Sequence, residues 1–165
     1  MRQFTIMIKP ASSLCNLRCR YCFYADISGR RDTANYGCMS ISVVRRMVKN
    51  VFCDVKPSDR VIFAFQGGEP MLAGLDFFFR FCEIAEAACK SIEIGYTIQT
   101  NGILINEKWC QFFKERNFLV GLSLDGPEEF HDQNRVNQKG DGTYHQVIHA
   151  KELLEFYQVD YNILT

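Results

Sequence analysis

Residues 15–22 have the sequence Cys15-Asn16-Leu17-Arg18-Cys19-Arg20-Tyr21-Cys22, a C-x3-C-x2-C pattern that follows a short apolar segment. Three thiolates this close in sequence can bind one inorganic centre. A [4Fe–4S] cluster has four irons, and proteins usually hold each of them with a Cys ligand. Three local cysteines without an evident fourth therefore predict a cluster with one iron left open to a cofactor or a substrate.

A zinc site is the main alternative, because C-x2-C is also a common zinc half-site. A structural zinc ion usually takes its four ligands from two such pairs. The other cysteines are single and scattered, and the three histidines form no matching half-site. These cysteines are Cys38, Cys53, Cys82, Cys89 and Cys110. The spacing favours an iron–sulfur centre over zinc.

The composition is that of one ordinary globular domain over residues 1–165, with 47% hydrophobic and 23% charged residues. Lys+Arg and Asp+Glu both number 19, so no basic excess indicates a nucleic-acid partner. No apolar run is long enough to span a membrane, and the first residues lack the features of a signal peptide. Eight cysteines without an export signal predict a cytoplasmic protein whose thiols are free or metal-bound.

Short β-rich segments alternate with longer helical patterns along the whole chain. The predicted strands are Thr5–Lys9, Val61–Gln66, Glu93–Thr100, Phe118–Leu124 and Tyr161–Leu164. The predicted helices are Ser40–Cys53, Leu75–Cys89, Asn106–Glu115 and Tyr144–Tyr157. This alternation predicts an α/β fold with a parallel sheet and right-handed crossovers. No helix follows the last strand to cover it, so we expect the chain to be part of a longer protein. The alternative is a small five-stranded doubly wound domain.

Polar, glycine-bearing segments follow four of the predicted strands. They are residues 15–22, Gln66-Gly67-Gly68-Glu69-Pro70, Gln99-Thr100-Asn101-Gly102 and Ser123-Leu124-Asp125-Gly126-Pro127. Active sites of α/β barrels and open α/β sheets form at the carboxyl ends of the strands. We therefore expect these four segments to meet at one mouth.

Several of these side chains have a chemistry that suits a small zwitterionic ligand. Two glycines let the backbone of Gly67-Gly68-Glu69-Pro70 approach a cationic amino group, which the Glu69 carboxylate could also meet. The alternative is an ordinary turn. Ser123 and Arg135 suit a carboxylate, although a lone Arg is more often a solvated surface charge. Tyr21 could present its ring to a purine or could pack in the core.

With these residues assembled, the chain resembles the radical S-adenosylmethionine enzymes. The C-x3-C-x-Tyr-C pattern matches the signature of that superfamily, and Gly67-Gly68-Glu69-Pro70 matches its methionine-binding motif. The resemblance covers essentially all of the chain and implies a partial (β/α)6 TIM-like barrel, truncated after about five strands. A closer resemblance is to the anaerobic sulfatase-maturating enzymes. It rests on Lys9-Pro10-Ala11-Ser12-Ser13, Cys22-Phe23-Tyr24, Ala64–Pro70, Gln99–Gly102 and Val120-Gly121-Leu122-Ser123.

The resemblance implies a mechanism. Cys15, Cys19 and Cys22 would hold three irons of a [4Fe–4S] cluster, and S-adenosyl-L-methionine would chelate the fourth. One electron would cleave the sulfonium to a 5′-deoxyadenosyl radical, which abstracts hydrogen from the β-carbon of a Cys or Ser in an unfolded sulfatase segment. Loss of a second electron and a proton gives an aldehyde from Ser, or from Cys a thioaldehyde that hydrolysis converts to formylglycine. A reducing partner would supply the electron.

The resemblance also implies residue roles. Gly67, Gly68 and Glu69 would meet the methionine amine, Ser123 and Arg135 its carboxylate, and Tyr21 the adenine, while Tyr24 and Gln66 would face the substrate peptide. The family's catalytic aspartate and its auxiliary-cluster domain lie beyond the matching part of the barrel, so no catalytic base is assigned within this chain. The alternatives are a non-catalytic binding module, a related enzyme acting on another peptide or small molecule, and a zinc-stabilised structural domain.

Overall fold

The computed structural model describes residues 1–88 and 91–165. Its five strands form one parallel sheet, in which their order is also their order along the chain. The strands are β1 Gln3–Ile8, β2 Arg60–Phe65, β3 Glu93–Thr100, β4 Phe118–Ser123 and β5 Tyr161–Leu164. This sheet confirms the predicted α/β fold, and its carboxyl ends place the polar segments on one side.

Six α-helices and one 3₁₀ helix connect these strands within the described residues. The helices are α1 Phe23–Gly29, α2 Ile41–Phe52, α3 Leu75–Ala88, α4 Glu107–Glu115, α5 Glu128–Asn134 and α6 Tyr144–Phe156, with the 3₁₀ helix at Pro70–Ala73. Side chains fix where two of them begin. Ser40 accepts from Val43 N at the start of α2, and Asn106 accepts from Trp109 N at the start of α4, as N-cap residues do.

The predicted elements begin and end within two residues of the observed ones. Cys89, the last residue of the predicted helix from Leu75, lies outside the described residues. Three elements were not predicted: α1, α5 and the 3₁₀ helix. All three are at most seven residues long, which is too short for a helical repeat of apolar residues to develop.

The hydrophobic core lies between one face of the sheet and the longer helices. Phe63 and Phe65 of β2 are fully buried there, and Phe65 packs edge-on against Phe78 and Phe81 of α3 at ring-centroid distances of 4.9 Å. Burial of each such ring stabilises the fold by about 1.5–3 kcal/mol. This packing fixes α3 against β2 and so holds the strand ends in place.

The other face of the sheet carries smaller and more polar side chains. Ala64, Gln66, Gln99 and Gly121 lie on this concave face, where they line a shallow cavity. At the sheet edge, Leu164 of β5 is 49% exposed. In the described part of the chain, none of the helices has the length and apolar character that crossing a membrane requires.

Candidate active site

A cleft of about 340 Å³ opens at the carboxyl ends of the strands. It brings together ten of the eleven residues that the sequence singled out. These are Cys15, Cys19, Tyr21, Cys22, Tyr24, Gln66, Gly67, Gly68, Ser123 and Arg135. Glu69 is the exception, because its side chain does not line the cleft. A wider groove of about 560 Å³, beside Glu86 and Arg116, contains none of the predicted residues.

The cysteine loop is held in place by a segment that is distant in sequence. Arg18 N donates to Val136 O at 2.8 Å, and Arg20 N donates to Asn134 O at 2.9 Å. At the end of the loop, Cys22 N donates to Cys19 O and α1 begins at the next residue. The backbone of residues 134–136 therefore fixes the loop independently of any bound metal.

The three loop thiols are free and face one cleft, as an inorganic cluster would require. Burial raises the pKa of Cys15 to about 11 and also raises the pKa of Cys19. Binding a metal centre here would therefore release protons, since thiolates are the ligands. Among the described residues, no three or more His, Cys, Asp or Glu side chains surround a position for a single metal ion.

The glycine segment packs directly on the cysteine loop. Glu69 N donates to Leu14 O at 2.7 Å. Gly68 has a φ of +57°, and a Cβ there would overlap Leu14 O and lie 3.0 Å from Ser13 C. The sequence suggested that these glycines allow a ligand to approach closely. The structure gives Gly68 a further reason, because only glycine lets the two loops meet.

Glu69 is turned away from the cleft and is 1% exposed. Its carboxylate accepts from Met71 N, Asn101 N and the Thr100 hydroxyl, each at 2.9 Å. Burial raises the pKa of Glu69 from 4.5 to about 7, while these three donors act in the opposite direction. From its sequence context, this carboxylate is predicted to face a ligand. In the structure it ties the glycine segment to the end of β3.

Arg135 and Tyr21 are connected by a residue that the sequence analysis did not single out. Arg135 Nη2 donates to Asp125 Oδ1 at 2.9 Å, and the Tyr21 hydroxyl donates to Asp125 Oδ2. The guanidinium also lies 5.4 Å from the centre of the Tyr21 ring. Asp125 follows β4 in the quoted Ser123–Pro127 segment, and this position at a strand end was the signal that could have found it.

The Arg135 guanidinium has a buried donor, Nε, that its contact with Asp125 does not use. Its side chain is only 12% exposed, and its Nε is buried without a hydrogen-bond partner among the described residues. A buried donor without a partner is unfavourable, so this side of the cleft fits a ligand with an anionic group. Ser123 lines the same cleft, where its hydroxyl accepts from Gln99 Nε2 at 3.0 Å.

Tyr24 and Gln66 also lie together in the cleft. Gln66 Nε2 donates to the Tyr24 hydroxyl at 3.3 Å. The Lys9 ammonium lies 4.6 Å from the centre of the Tyr24 ring, a distance typical of a cation–π contact. Gly67 permits this arrangement, because a Cβ there would lie 2.9 Å from the Lys9 side chain.

The end of β3 contributes Asn101, another residue to which the sequence analysis gave no role. Asn101 Nδ2 donates to Asn16 Oδ1 at 2.8 Å and lies 3.8 Å from Cys15 Sγ. Its place after a strand and before Gly102, in a quoted segment, was the available signal. The end of β3 therefore contacts the cysteine loop, in agreement with the prediction that the polar segments at the strand ends meet.

Comparison with known proteins gives the family. The sequence profile of the Radical SAM superfamily matches residues 10–158. A cysteine-type anaerobic sulfatase-maturating enzyme from Clostridium novyi (strain NT) is 45% identical over 100% of this chain and 44% of its own length. A serine-type anaerobic sulfatase-maturating enzyme from Klebsiella aerogenes is 36% identical over 98% of this chain and 39% of its own length. This chain thus spans less than half of either relative.

A solved structure shares the fold. Native anSMEcpe with bound AdoMet and Cp18Cys peptide is 44% identical to this chain and superposes with a TM-score of 0.88, over 98% of this chain and 42% of its own. The predicted partial barrel and the predicted family are both confirmed by these comparisons. The chain belongs to the radical SAM superfamily, whose members use a [4Fe–4S] cluster and S-adenosylmethionine.

Proposed function

We propose that this chain is the cofactor-binding part of a radical SAM enzyme that oxidises a Cys or Ser of an unfolded sulfatase segment to formylglycine. One observation carries the proposal: three free thiols, the glycine segment and Arg135 line the same cleft. The names of the most similar relatives support the choice of substrate.

Cys15, Cys19 and Cys22 are proposed to hold three irons of the cluster. When bound, the cluster and S-adenosylmethionine supply one-electron cleavage of the sulfonium and hence a radical that abstracts hydrogen. The loop is suited to this role because backbone hydrogen bonds already fix it at Arg18 and Arg20. A prearranged ligand loop loses less conformational entropy when the cluster binds.

The glycine segment and Arg135 are proposed to orient the cofactor. Backbone carbonyls of Gly67, Gly68 and Glu69 would accept from the methionine ammonium, since the Glu69 carboxylate is occupied by other donors. Arg135 Nε and the Ser123 hydroxyl would donate to the carboxylate, which would satisfy the buried Nε. Tyr21, which is 54% exposed, would contact the adenine.

Tyr24 and Gln66 are proposed to contact the substrate peptide. Their hydroxyl and amide are joined by a hydrogen bond and line the cleft, so they could fix a polar group of an extended segment. A reducing protein partner would supply electrons. The seven described cysteines are free of disulfides, which supports our proposal that the protein functions in the reducing cytoplasm.

Anaerobic reconstitution tests this function. The chain is loaded with iron and sulfide, reduced, and given S-adenosylmethionine together with a Cys- or Ser-containing sulfatase peptide. We expect 5′-deoxyadenosine, detected by mass spectrometry, in an amount that the peptide increases. The Cys19→Ala variant should not form this product. Cys53→Ala is the matched control, since Cys53 is exposed at the end of α2, and it should behave as the wild type.

Other outcomes identify the alternatives. A change in the EPR spectrum of the reduced cluster on cofactor addition, without cleavage, would indicate a non-catalytic binding module. Cofactor cleavage that the sulfatase peptide does not increase would indicate a different substrate. Stoichiometric zinc without iron uptake would contradict every form of the proposal.

A further inference from the structure

Asn101 lies at the end of β3, between the buried Glu69 carboxylate and the cysteine loop. It is 8% exposed, and each of its side-chain polar atoms has a partner. Its backbone N donates to Glu69 Oε2 at 2.9 Å, which anchors the residue from the interior. The residue is therefore held rigidly beside Cys15.

Hydrogen bonding fixes the orientation of the Asn101 amide. Ile103 N donates to Asn101 Oδ1 at 3.0 Å, and an N–H can be accepted only by the oxygen end of the amide. The Nδ2 group must therefore point toward the cysteine loop. One of its hydrogens reaches Asn16 Oδ1 at 2.8 Å. The other is directed at Cys15 Sγ, with an N–S distance of 3.8 Å, consistent with the larger radius of sulfur.

An N–H donor to a cysteine sulfur has a predictable effect on a cluster. One-electron reduction of a [4Fe–4S] centre adds negative charge that is partly carried by its sulfurs. A donated N–H stabilises this charge more in the reduced form than in the oxidised form, so it raises the reduction potential. Leu17 N also donates to Cys15 Sγ, at 3.4 Å, but this backbone donor is present whatever the side chain at position 101.

We infer that Asn101 is a positioning residue that sets the reduction potential of the cluster through its side-chain hydrogen bond to Cys15. The inference rests on the proposed function, because it requires a cluster at Cys15, Cys19 and Cys22. In the step concerned, the cluster gains one electron from an external reductant, and no covalent bond forms or breaks. Asn101 thereby makes electron uptake easier without contacting the cofactor or the substrate.

The test is an EPR-monitored redox titration of the reconstituted 165-residue chain. It compares the wild type with Asn101→Ala, which removes the donor, and with Asn101→Asp. The Asp variant keeps the shape and the acceptor for Ile103 N, but it places a carboxylate oxygen where Nδ2 was. Asn106→Ala is the matched control, because the Asn106 side chain caps α4 by accepting from Trp109 N.

We expect the midpoint potential to become more negative in Asn101→Ala and more negative still in Asn101→Asp, with Asn106→Ala unchanged. A merely structural role would alter cluster content or melting temperature but not the potential of the clusters that form. If Asn101→Ala fails to retain a cluster, the midpoint potential of the near-isosteric Asn101→Asp variant is compared with that of the wild type instead. Equal potentials in the loaded variants and the wild type would overturn the inference alone. A wild-type chain that binds no cluster would instead overturn the proposed function.

Discussion

Substitution of Gly68 by Ala should destabilise the protein and displace the cysteine loop. The added Cβ would overlap Leu14 O and lie 3.0 and 3.1 Å from Ser13 C and Leu14 C, which are backbone atoms that cannot rotate away. The backbone at φ +57° costs a non-glycine residue about 1–2 kcal/mol. Separation of the loops also breaks the bond from Glu69 N to Leu14 O, which contributes about 0.5–1.5 kcal/mol.

The expected loss in the free energy of unfolding is therefore about 2–3 kcal/mol. Because Leu14 directly precedes Cys15, iron and sulfide uptake should also fall. Gly37→Ala is the matched control, since Gly37 has a φ of +72° but a Cβ there would have no heavy atom within 4 Å. Urea unfolding and iron analysis after anaerobic reconstitution measure both effects. Equal stability and equal iron content in the two variants would refute the argument from loop contact.

Three further predictions concern ionisable groups. Asp125→Asn should lower the free energy of unfolding by about 2 kcal/mol, because Arg135 is 12% exposed and would lose its anionic partner. An unchanged free energy of unfolding in urea would show that water screens the pair. The folded state retains the proton of Glu69 up to about pH 7, whereas the unfolded chain releases it near pH 4.5. The stabilisation from this group is complete below pH 4.5 and is lost as the pH rises through 7. Urea unfolding across this range should therefore show the free energy of unfolding of the wild type falling by about 3 kcal/mol. The Glu69→Gln variant should not show this decrease. Arg2 holds the pKa of Asp59 well below its usual 3.8. The stabilisation from this pair is therefore present above pH 3.8 and is lost on acidification. The melting temperature of Asp59→Asn should fall less on acidification than that of the wild type.

The main secondary structure was predictable because the long elements carry clear periodic patterns. Val44, Val48 and Val51 recur at helical spacing in the α2 segment, and the first two are buried in the structure. By contrast, α5 has the polar sequence EEFHDQN, in which only His131 is buried. No apolar period marks such a helix, and tertiary contacts decide that it forms.

The sequence was sufficient to predict which residues line the cleft, but not which contacts they make there. Motif spacing identified the three cysteines, and strand ends identified Ser123. The orientation of Glu69 could not be predicted, because a carboxylate next to two glycines can face a ligand or the interior. Its direction depends on donors at Thr100 and Asn101, which are distant in sequence.

The order of the strands has a consequence for biosynthesis. Since each strand pairs with its predecessor in the chain, the sheet can grow from the amino terminus while the ribosome is still working. The cysteine loop, however, receives its backbone partners at Asn134 and Val136, more than 110 residues later. During translation the cysteine loop is thus made early but immobilised late, so its thiols stay exposed to solvent until β4 and α5 have formed.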